Sequence, residues 1–402
     1  MTDPNPPGYG RLVTTSLRIS LLGFGGPNAH LALMLDEVVE RRKWLTREHF
    51  MHLVGATNLL PGPNSSEVAI HIGYTQRGWR GAMATGLAFL LPTLVLVTLF
   101  SALYFRYGTL PAVEGIFWGL KPVILAVILG AGWKLARTAL DLGEDEAKLP
   151  SLPLLALALA GIAVAYRLDG MEVPAMLVGG VLGWTLFRNQ DTGAAGRGSP
   201  AVAALPLLTL TGSAAPAASI SVASALVATP PLLQLLLLTV GAGAVLFGGG
   251  YMLVALLEPF VVESLGWLTP QQFLDGIALT QAVPGPIVTL VAFVGYGVAG
   301  VPGALVATGG IYLPSFAAVL LVAPHLERWR RVEGFRAALK GVNAVVAGAI
   351  LGVGLTLLPP ALPDGWAGAL FLVALVALVR FRIPAVWAVA AGLVAGALHT
   401  LI

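Results

Sequence analysis

The sequence has no cysteine and little charge. Without cysteine, disulfides, thiolate nucleophiles and Cys-ligated metal sites are excluded. Only 11% of its 402 residues are Asp, Glu, Lys or Arg, against about 25% in soluble domains, which excludes a single soluble core. No Gly-x-Lys-Ser/Thr phosphate loop occurs, so ATP hydrolysis within this chain is unsupported. There is no Gly-x-Ser-x-Gly nucleophile elbow either. The six histidines form no His-x-x-x-His or His-Glu pair, which leaves a zinc protease unsupported. Strands of alternating polarity, the mark of a membrane β-barrel, are also lacking.

Apolar residues make up 57% of the chain, at a mean hydropathy of +0.84. They fall in continuous runs that often reach the roughly 20 residues needed to span a bilayer. Glycine is abundant, at 49 residues, as expected where helices approach closely. Met1–Gly10 is polar and Pro-rich, unlike a secretory leader. The first apolar segment is therefore expected to act as an internal insertion signal and to stay in the protein.

Long apolar runs lie near 80–106, 111–140, 150–167, 173–188, 303–326, 333–358, 366–380 and 384–402. Two longer segments, 12–40 and 232–263, are interrupted by Phe24-Gly25-Gly26-Pro27 and Phe247-Gly248-Gly249-Gly250. Residues 46–60 and 64–77 flank Pro61-Gly62-Pro63, and 270–283 and 287–299 flank Pro284-Gly285-Pro286. A helix of 14 residues is about 21 Å long, short of a hydrocarbon core of about 30 Å. Each pair therefore reads as a hairpin of half-helices with its tip inside the membrane.

The chain repeats itself. Phe24-Gly25-Gly26, Trp44-Leu45-Thr46 and Pro61-Gly62-Pro63 recur 223 residues later as Phe247-Gly248-Gly249, Trp267-Leu268-Thr269 and Pro284-Gly285-Pro286. Leu91-Pro92 matches Leu313-Pro314. Val113-Glu114-Gly115 with Leu120-Lys121 matches Val332-Glu333-Gly334 with Leu339-Lys340, which predicts that Lys121 and Lys340 occupy equivalent positions. The copies span 11–188 and 231–402, joined by a Gly/Ala/Pro/Ser-rich linker at 189–230.

Basic residues orient the copies. Arg41, Arg42, Lys43 and Arg47 fill the loop at 41–48, whereas its partner at 264–271 has none. Arg77 and Arg80 follow the first hairpin, and no basic residue follows the second. The bias reverses further on, where Arg106 stands alone against Arg328, Arg330, Arg331 and Arg336. Such alternation is the signature of inverted-topology repeats. The fold expected is an all-α polytopic membrane protein of two inverted repeats, each with about five spans plus a re-entrant half-helix hairpin. Both chain ends are placed outside and the linker in the cytoplasm. Asp36, Glu37 and Glu40 beside Arg41 and Arg42 read as an interfacial charge cluster.

The strongest local signal is Thr57-Asn58-Leu59-Leu60-Pro61-Gly62-Pro63-Asn64-Ser65-Ser66-Glu67. The prolines end one helix and start the next. The second half-helix would begin at Asn64 with up to four free N–H groups and a positive dipole end. Ser65 and Ser66 would add hydroxyl donors, making an anion site. The structural alternative is a capping-box-like closure between Asn64 and Glu67. The second copy has Thr280 and Gln281 before Gly285 but Ile287-Val288 after it, so the first copy should dominate substrate contact. Lys121 lies ten residues into its span, about 15 Å by helix rise. A charge at that depth is a functional candidate by default, unless it snorkels or pairs with Glu114. Lys340 is nearer its helix start and better able to snorkel. Glu67 and His71 share a helix face at i, i+4, and His30 follows the Gly-Gly-Pro break. A carboxylate beside an anion site repels the anion unless protonated, so His30, Glu67 and His71 are candidates for proton handling. The substrate-binding residues expected are Gly25, Gly26, Asn58, Gly62, Asn64, Ser65, Ser66, Lys121, Thr280, Gln281, Gly285 and Lys340. No catalytic residue and no metal ligand is assigned.

These motifs resemble the chromate ion transporter family in its long two-domain form. Phe24-Gly25-Gly26-Pro27 with His30, and Thr57-Asn58 with Pro61-Gly62-Pro63-Asn64-Ser65 and Glu67, carry the resemblance in the first half. Phe247-Gly248-Gly249-Gly250-Tyr251 with Pro284-Gly285-Pro286 carries it in the second. It covers about 24–140 and 247–358. The resemblance implies a multi-pass inner (plasma) membrane carrier that exports chromate, is driven by the proton-motive force and confers chromate resistance. It implies no cofactor, and as partners the oxyanion and the lipid bilayer, with a homodimer left open and no nucleic acid. A carrier for sulfate or another oxyanion and an anion channel remain alternatives. An intramembrane enzyme is disfavoured for want of a nucleophile–base pair.

Overall fold

The computed structural model describes residues 7–24, 27–57, 60, 62–108, 110–140, 151–168, 171–187, 229–246, 250–322 and 333–400. Gly25, Gly26, Asn58 and most of the linker lie outside the described residues, as do Phe247–Gly249 and Arg328–Arg331. All regular structure among the described residues is helical.

The first half runs α1 (Tyr9–Leu22), α2 (Pro27–Met34), a π-helical turn (Leu35–Arg41), α3 (Arg47–Thr57), α4 (Asn64–Tyr107), α5 (Pro111–Ala139), α6 (Leu152–Arg167) and α7 (Glu172–Phe187). The second begins with α8 (Pro231–Val245), α9 (Met252–Glu258), a π-helical turn (Pro259–Ser264) and α10 (Pro270–Ala282). A 3₁₀ turn (Ile287–Thr289) then leads into α11 (Leu290–Ala317). After it come α12 (Glu333–Thr356), the short α13 (Leu358–Ala361), α14 (Gly365–Val379) and α15 (Ala385–His399). The segment 12–40 is broken where the glycine cluster predicts, between Leu22 and Pro27.

The sequence repeat is a repeat of backbone conformation. α4 breaks at Arg77 (φ −141°, ψ 26°) and Gly78 (φ 60°, ψ −152°), and α11 breaks 222 residues later at Ala299 (φ −147°, ψ 27°) and Gly300 (φ 62°, ψ −145°). A left-handed residue is needed at each break, and glycine adopts it without a Cβ clash. There the second limb of each hairpin, from Asn64 or Ile287, ends and a long apolar limb starts. The π turns also recur at matching places, with Trp44 N–H donating to Val38 O and Trp267 N–H to Val261 O, both at 2.8 Å.

The halves interlock rather than standing side by side. α5 packs between α14 and α15 of the second half, and α12 packs between α6 and α7 of the first. The crossing of α5 and α12 is reciprocal. Leu351 fills the space beside Gly132, and Leu129 fills the space beside Gly354. Likewise Gly119 lies against the Gly392 carbonyl and Gly341 against that of Gly179. Both relations register α5 on α12 at an offset of 222 residues. The counterpart of Lys121 is therefore Asn343, and that of Lys340 is Trp118, which corrects the equivalence expected from the Leu-Lys match. The match at Val-Glu-Gly implies an offset three residues shorter, most of a helical turn, and backbone-to-backbone glycine packing decides the register.

Among the described residues, four helices are long and apolar enough to cross a membrane, at Asn64–Tyr107, Val113–Ala139, Ile287–Leu321 and Ala337–Thr356. Five shorter apolar helices accompany them. At 15 or 16 residues each, the shorter ones reach only about 24 Å. The exterior is apolar as well as the interior. Leu87, Leu91, Val95 and Leu99 form one exposed stripe along α4, and Trp184, Trp366 and Trp387 are exposed on other helices. Water would not tolerate so continuous an apolar surface, and lipid does. The expected charge cluster is present: Glu37 is buried and receives Arg18 at 3.0 Å and Arg42 at 3.2 Å, while Arg41 meets Asp36 at 2.8 Å.

Candidate functional site

The two hairpin tips dock into opposite halves by the same device. Gly62 (φ 145°) and Gly285 (φ 132°) both sit in conformations that only glycine adopts without strain. A Cβ on Gly62 would lie 2.2 Å from Ser315 Oγ, and one on Gly285 would lie 2.0 Å from Thr93 Oγ1. Thr93 and Ser315 follow the repeated Leu-Pro pair, so they are counterparts. Thr93 also donates to the Pro284 carbonyl at 3.0 Å, and Gly62 N–H donates to Leu246 O at 2.8 Å.

The chemistry of the tips differs. At the first, α4 starts at Asn64, as the prolines predict. Fewer N–H groups are open than the expected four, because the Pro63 carbonyl already accepts from Ser66 N–H (2.9 Å) and Glu67 N–H (3.1 Å). Asn64 Oδ1 accepts from Thr57 Oγ1 at 2.5 Å, tying the two limbs together. No Asn64–Glu67 capping box forms, since both Glu67 oxygens are buried without a hydrogen-bond partner. Ser65 Oγ and Ser315 Oγ are equally buried and unpartnered. Glu67 Oε1 would lie 2.3 Å from a Cβ on Gly62, so a carboxyl and a serine hydroxyl from opposite halves flank the same glycine. The Ser66 hydroxyl faces Tyr312. Buried polar groups without a protein partner are rare in native proteins, and water, a bound ion or a functional role accounts for them.

At the second tip the polar groups satisfy themselves. Thr280 Oγ1 donates to Gly276 O (3.0 Å) and Ile277 O (2.9 Å), Thr289 Oγ1 to Pro286 O (2.8 Å), and Gln281 Nε2 to Tyr251 OH (2.8 Å). Ile287 and Val288 are buried. His30 is fully buried with neither ring nitrogen partnered, lying edge-on to Phe89 at 5.1 Å. His71 is half-buried beside Tyr74.

Lys121 is buried, and it pairs neither with Glu114 nor with the first hairpin tip. Its Nζ lies 3.1 Å from Asp275 Oδ1 on α10, and Tyr104 OH donates to Asp275 Oδ2 at 2.7 Å. Lys121, Asp275 and Tyr104 line a cavity of about 760 Å³ together with Glu114, Trp118 and Gln272. None of Gly62, Asn64, Ser65 or Glu67 reaches this cavity. Lys340 is exposed. The sequence reading missed Asp275, although an acid inside an otherwise apolar hairpin limb is a functional candidate by the rule that singled out Lys121. It also missed Ser315 and Thr93, which directly follow the matching Leu-Pro pairs of the two halves.

Helices of spanning length, an apolar exterior and two interlocked homologous halves define a multi-pass helical membrane protein. Unpartnered polar groups meet at one hairpin tip, and an ion pair lines a cavity elsewhere. The chain belongs to the chromate transporter family, which it matches over residues 10–184 and again over 233–397, once on each half. It is 32% identical over 372 residues to a chromate transport protein of Cupriavidus metallidurans, covering 92% of this chain and 88% of the relative. It is 29% identical over 363 residues to a probable chromate transport protein of Synechococcus elongatus (90% and 87%). With a chromate transport protein of Pseudomonas aeruginosa it shares 32% identity over 354 residues (86% and 80%). No solved structure matches it. These relatives are named as transport proteins, in keeping with a transporter rather than an enzyme.

Proposed function

We propose that this chain is a secondary carrier of the inner (plasma) membrane that exports chromate, a tetrahedral dianion, using the proton-motive force, and so confers chromate resistance. The observation that carries this reading is the first hairpin tip. There Ser65, Glu67 and Ser315, drawn from both halves, bury polar atoms without partners beside the start of α4. Hydroxyl donors and a helix N-terminus suit an oxyanion, and Glu67, as a neutral carboxyl, adds a donor in place of a repelling charge. The self-satisfied second tip acts as the structural counterpart. Lys121 in the separate cavity supplies a cation on the anion's path, because each helix end offers only about half a charge. The repeats are inverted in the membrane and exchange access to the tip by rocking against each other. The basic loop at 41–48 is cytoplasmic and the bare loop at 264–271 external.

Counterflow in proteoliposomes tests this reading. Unlabelled chromate trapped inside should accelerate and transiently concentrate tracer chromate entering from outside, since a carrier reorients with substrate bound. A channel shows tracer entry without that overshoot. Absence of chromate and sulfate flux alike would reject an oxyanion carrier.

A further inference from the structure

Lys121 and Asp275 form a salt bridge in which neither partner has another ion-pair partner within 4.0 Å among the described residues. Lys121 and Tyr104 come from the first half and Asp275 from the second, so the cluster spans the boundary along which the halves must move. It is not duplicated. The counterpart of Lys121 is Asn343, and by the 223-residue offset of the hairpins the counterpart of Asp275 is His52, which is exposed and lies 3.8 Å from Glu48. The cluster is therefore no by-product of the repeat. Both charged side chains are more than nine-tenths buried, yet they line a cavity large enough for a hydrated oxyanion. The cavity gathers Gly108 and Pro111, Thr269 and Thr400, the segments that the basic-residue bias assigns to the outer face.

Resting on the carrier reading above, we propose that Asp275 is an internal stand-in for the substrate: it occupies the Lys121 ammonium in the empty carrier and yields it to the oxyanion on taking up a proton. In the empty state the pair is neutral, one ammonium against one carboxylate. A dianion arriving at Lys121 meets the Asp275 carboxylate at 3.1 Å from the same nitrogen, and like charges at that range exclude each other. Protonation of Asp275 Oδ1 from the cavity removes the repulsion and frees all three ammonium donors for the anion. The Tyr104 hydroxyl keeps the neutral carboxyl in place through Oδ2. The other titratable groups facing Asp275 are Glu114 of α5 and His399 of α15. Glu114 is like-charged and adds to the exclusion, and His399 is stacked on Trp118 at 3.9 Å. Proton and dianion thus bind together, and the loaded site gains one net negative charge. Export is then driven by the electrical part of the proton-motive force, which pushes negative charge out of the cell.

The test is direct chromate binding to the purified full-length chain in weakly buffered solution, over a pH range in which chromate stays a dianion. Wild-type protein should take up a proton as chromate binds, and its affinity should weaken about tenfold for each unit of rising pH once Asp275 is ionised in the empty carrier. Asp275→Asn should bind chromate with no proton uptake and no such pH dependence. Should Asp275→Asn fail to fold, Tyr104→Phe removes a donor to the carboxylate and should move the pH midpoint of binding upward, with the folded state checked by size exclusion. Binding by wild type without proton uptake overturns the proposal. So does full proton uptake by Asp275→Asn, or an unmoved midpoint in Tyr104→Phe. A wild-type protein that binds neither chromate nor sulfate overturns the carrier reading itself, and the gate falls with it.

Discussion

The hydroxyl of Ser315 occupies the space beside Gly62 so closely that a methyl group there would come within 2.2 Å of its oxygen. Gly62 heads the first hairpin and Ser315 belongs to the second half, so the hairpin tip is seated by the opposite repeat. Gly62→Ala should therefore abolish chromate transport and lower the thermal midpoint of the purified protein, through both the clash and the strained φ. Gly78→Ala is the control. Its φ is 60° but nothing lies within 4 Å of the added methyl, so only backbone strain of about 1–3 kcal/mol applies. Equal behaviour of the two variants in melting and uptake would mean that the seat on Ser315 is unimportant.

The two tips should respond unequally. Ser65→Ala or Asn64→Ala should weaken oxyanion binding more than Ile287→Ala or Val288→Ala. A hydrogen bond to a charged group is worth about 1.5–3 kcal/mol, or roughly 10- to 150-fold in affinity. Titration of the four variants with chromate measures this, and small, equal effects would place the binding site elsewhere.

Of the two lysines, only Lys121 should matter. Lys121→Gln removes one partner of a buried pair, a change that costs about 3–5 kcal/mol, and it removes the cation from the cavity. Transport per inserted molecule should fall almost to background, with a milder defect for Lys121→Arg. Lys340 is exposed, and Lys340→Gln should transport as wild type does. A wild-type Lys121→Gln variant would leave the anion to backbone and hydroxyl donors alone.

Topology can be read by single-cysteine labelling, since the native chain has no cysteine. A cysteine in 41–48 should react only from the cytoplasmic side, and one in 264–271 only from outside. Reaction of both from one side would contradict inverted repeats.

Much of the fold was legible because proline and glycine act locally. The break after Leu22, the hairpins around Gly62 and Gly285 and the start of α4 at Asn64 all follow from φ constraints over a few residues. The asymmetry of the tips was legible for the same reason, as Ser65-Ser66 against Ile287-Val288. Tertiary partners were not. Asp275 lies 154 residues beyond Lys121, and no local spacing links them, whereas Glu114 suggested itself only by sharing a helix. The misplaced equivalence of Lys340 has a similar origin. A short motif set the alignment, but the register of α5 on α12 is fixed by close glycine contacts such as Gly119 on Gly392, which a sequence match does not weigh. The interlocking of α5 with α14 and α15 likewise has no sequence signal, because every one of these helices is apolar on several faces.

The most direct test of the coupled-carrier account is chromate accumulation in proteoliposomes held at zero membrane potential by valinomycin and equal potassium, with the outside made acidic. Because proton and dianion bind together, the inward proton gradient should drive chromate above its external concentration, and a protonophore should abolish the accumulation. Chromate that merely equilibrates, at the same final level with and without the pH gradient, would contradict the account and leave an uncoupled anion pathway in its place.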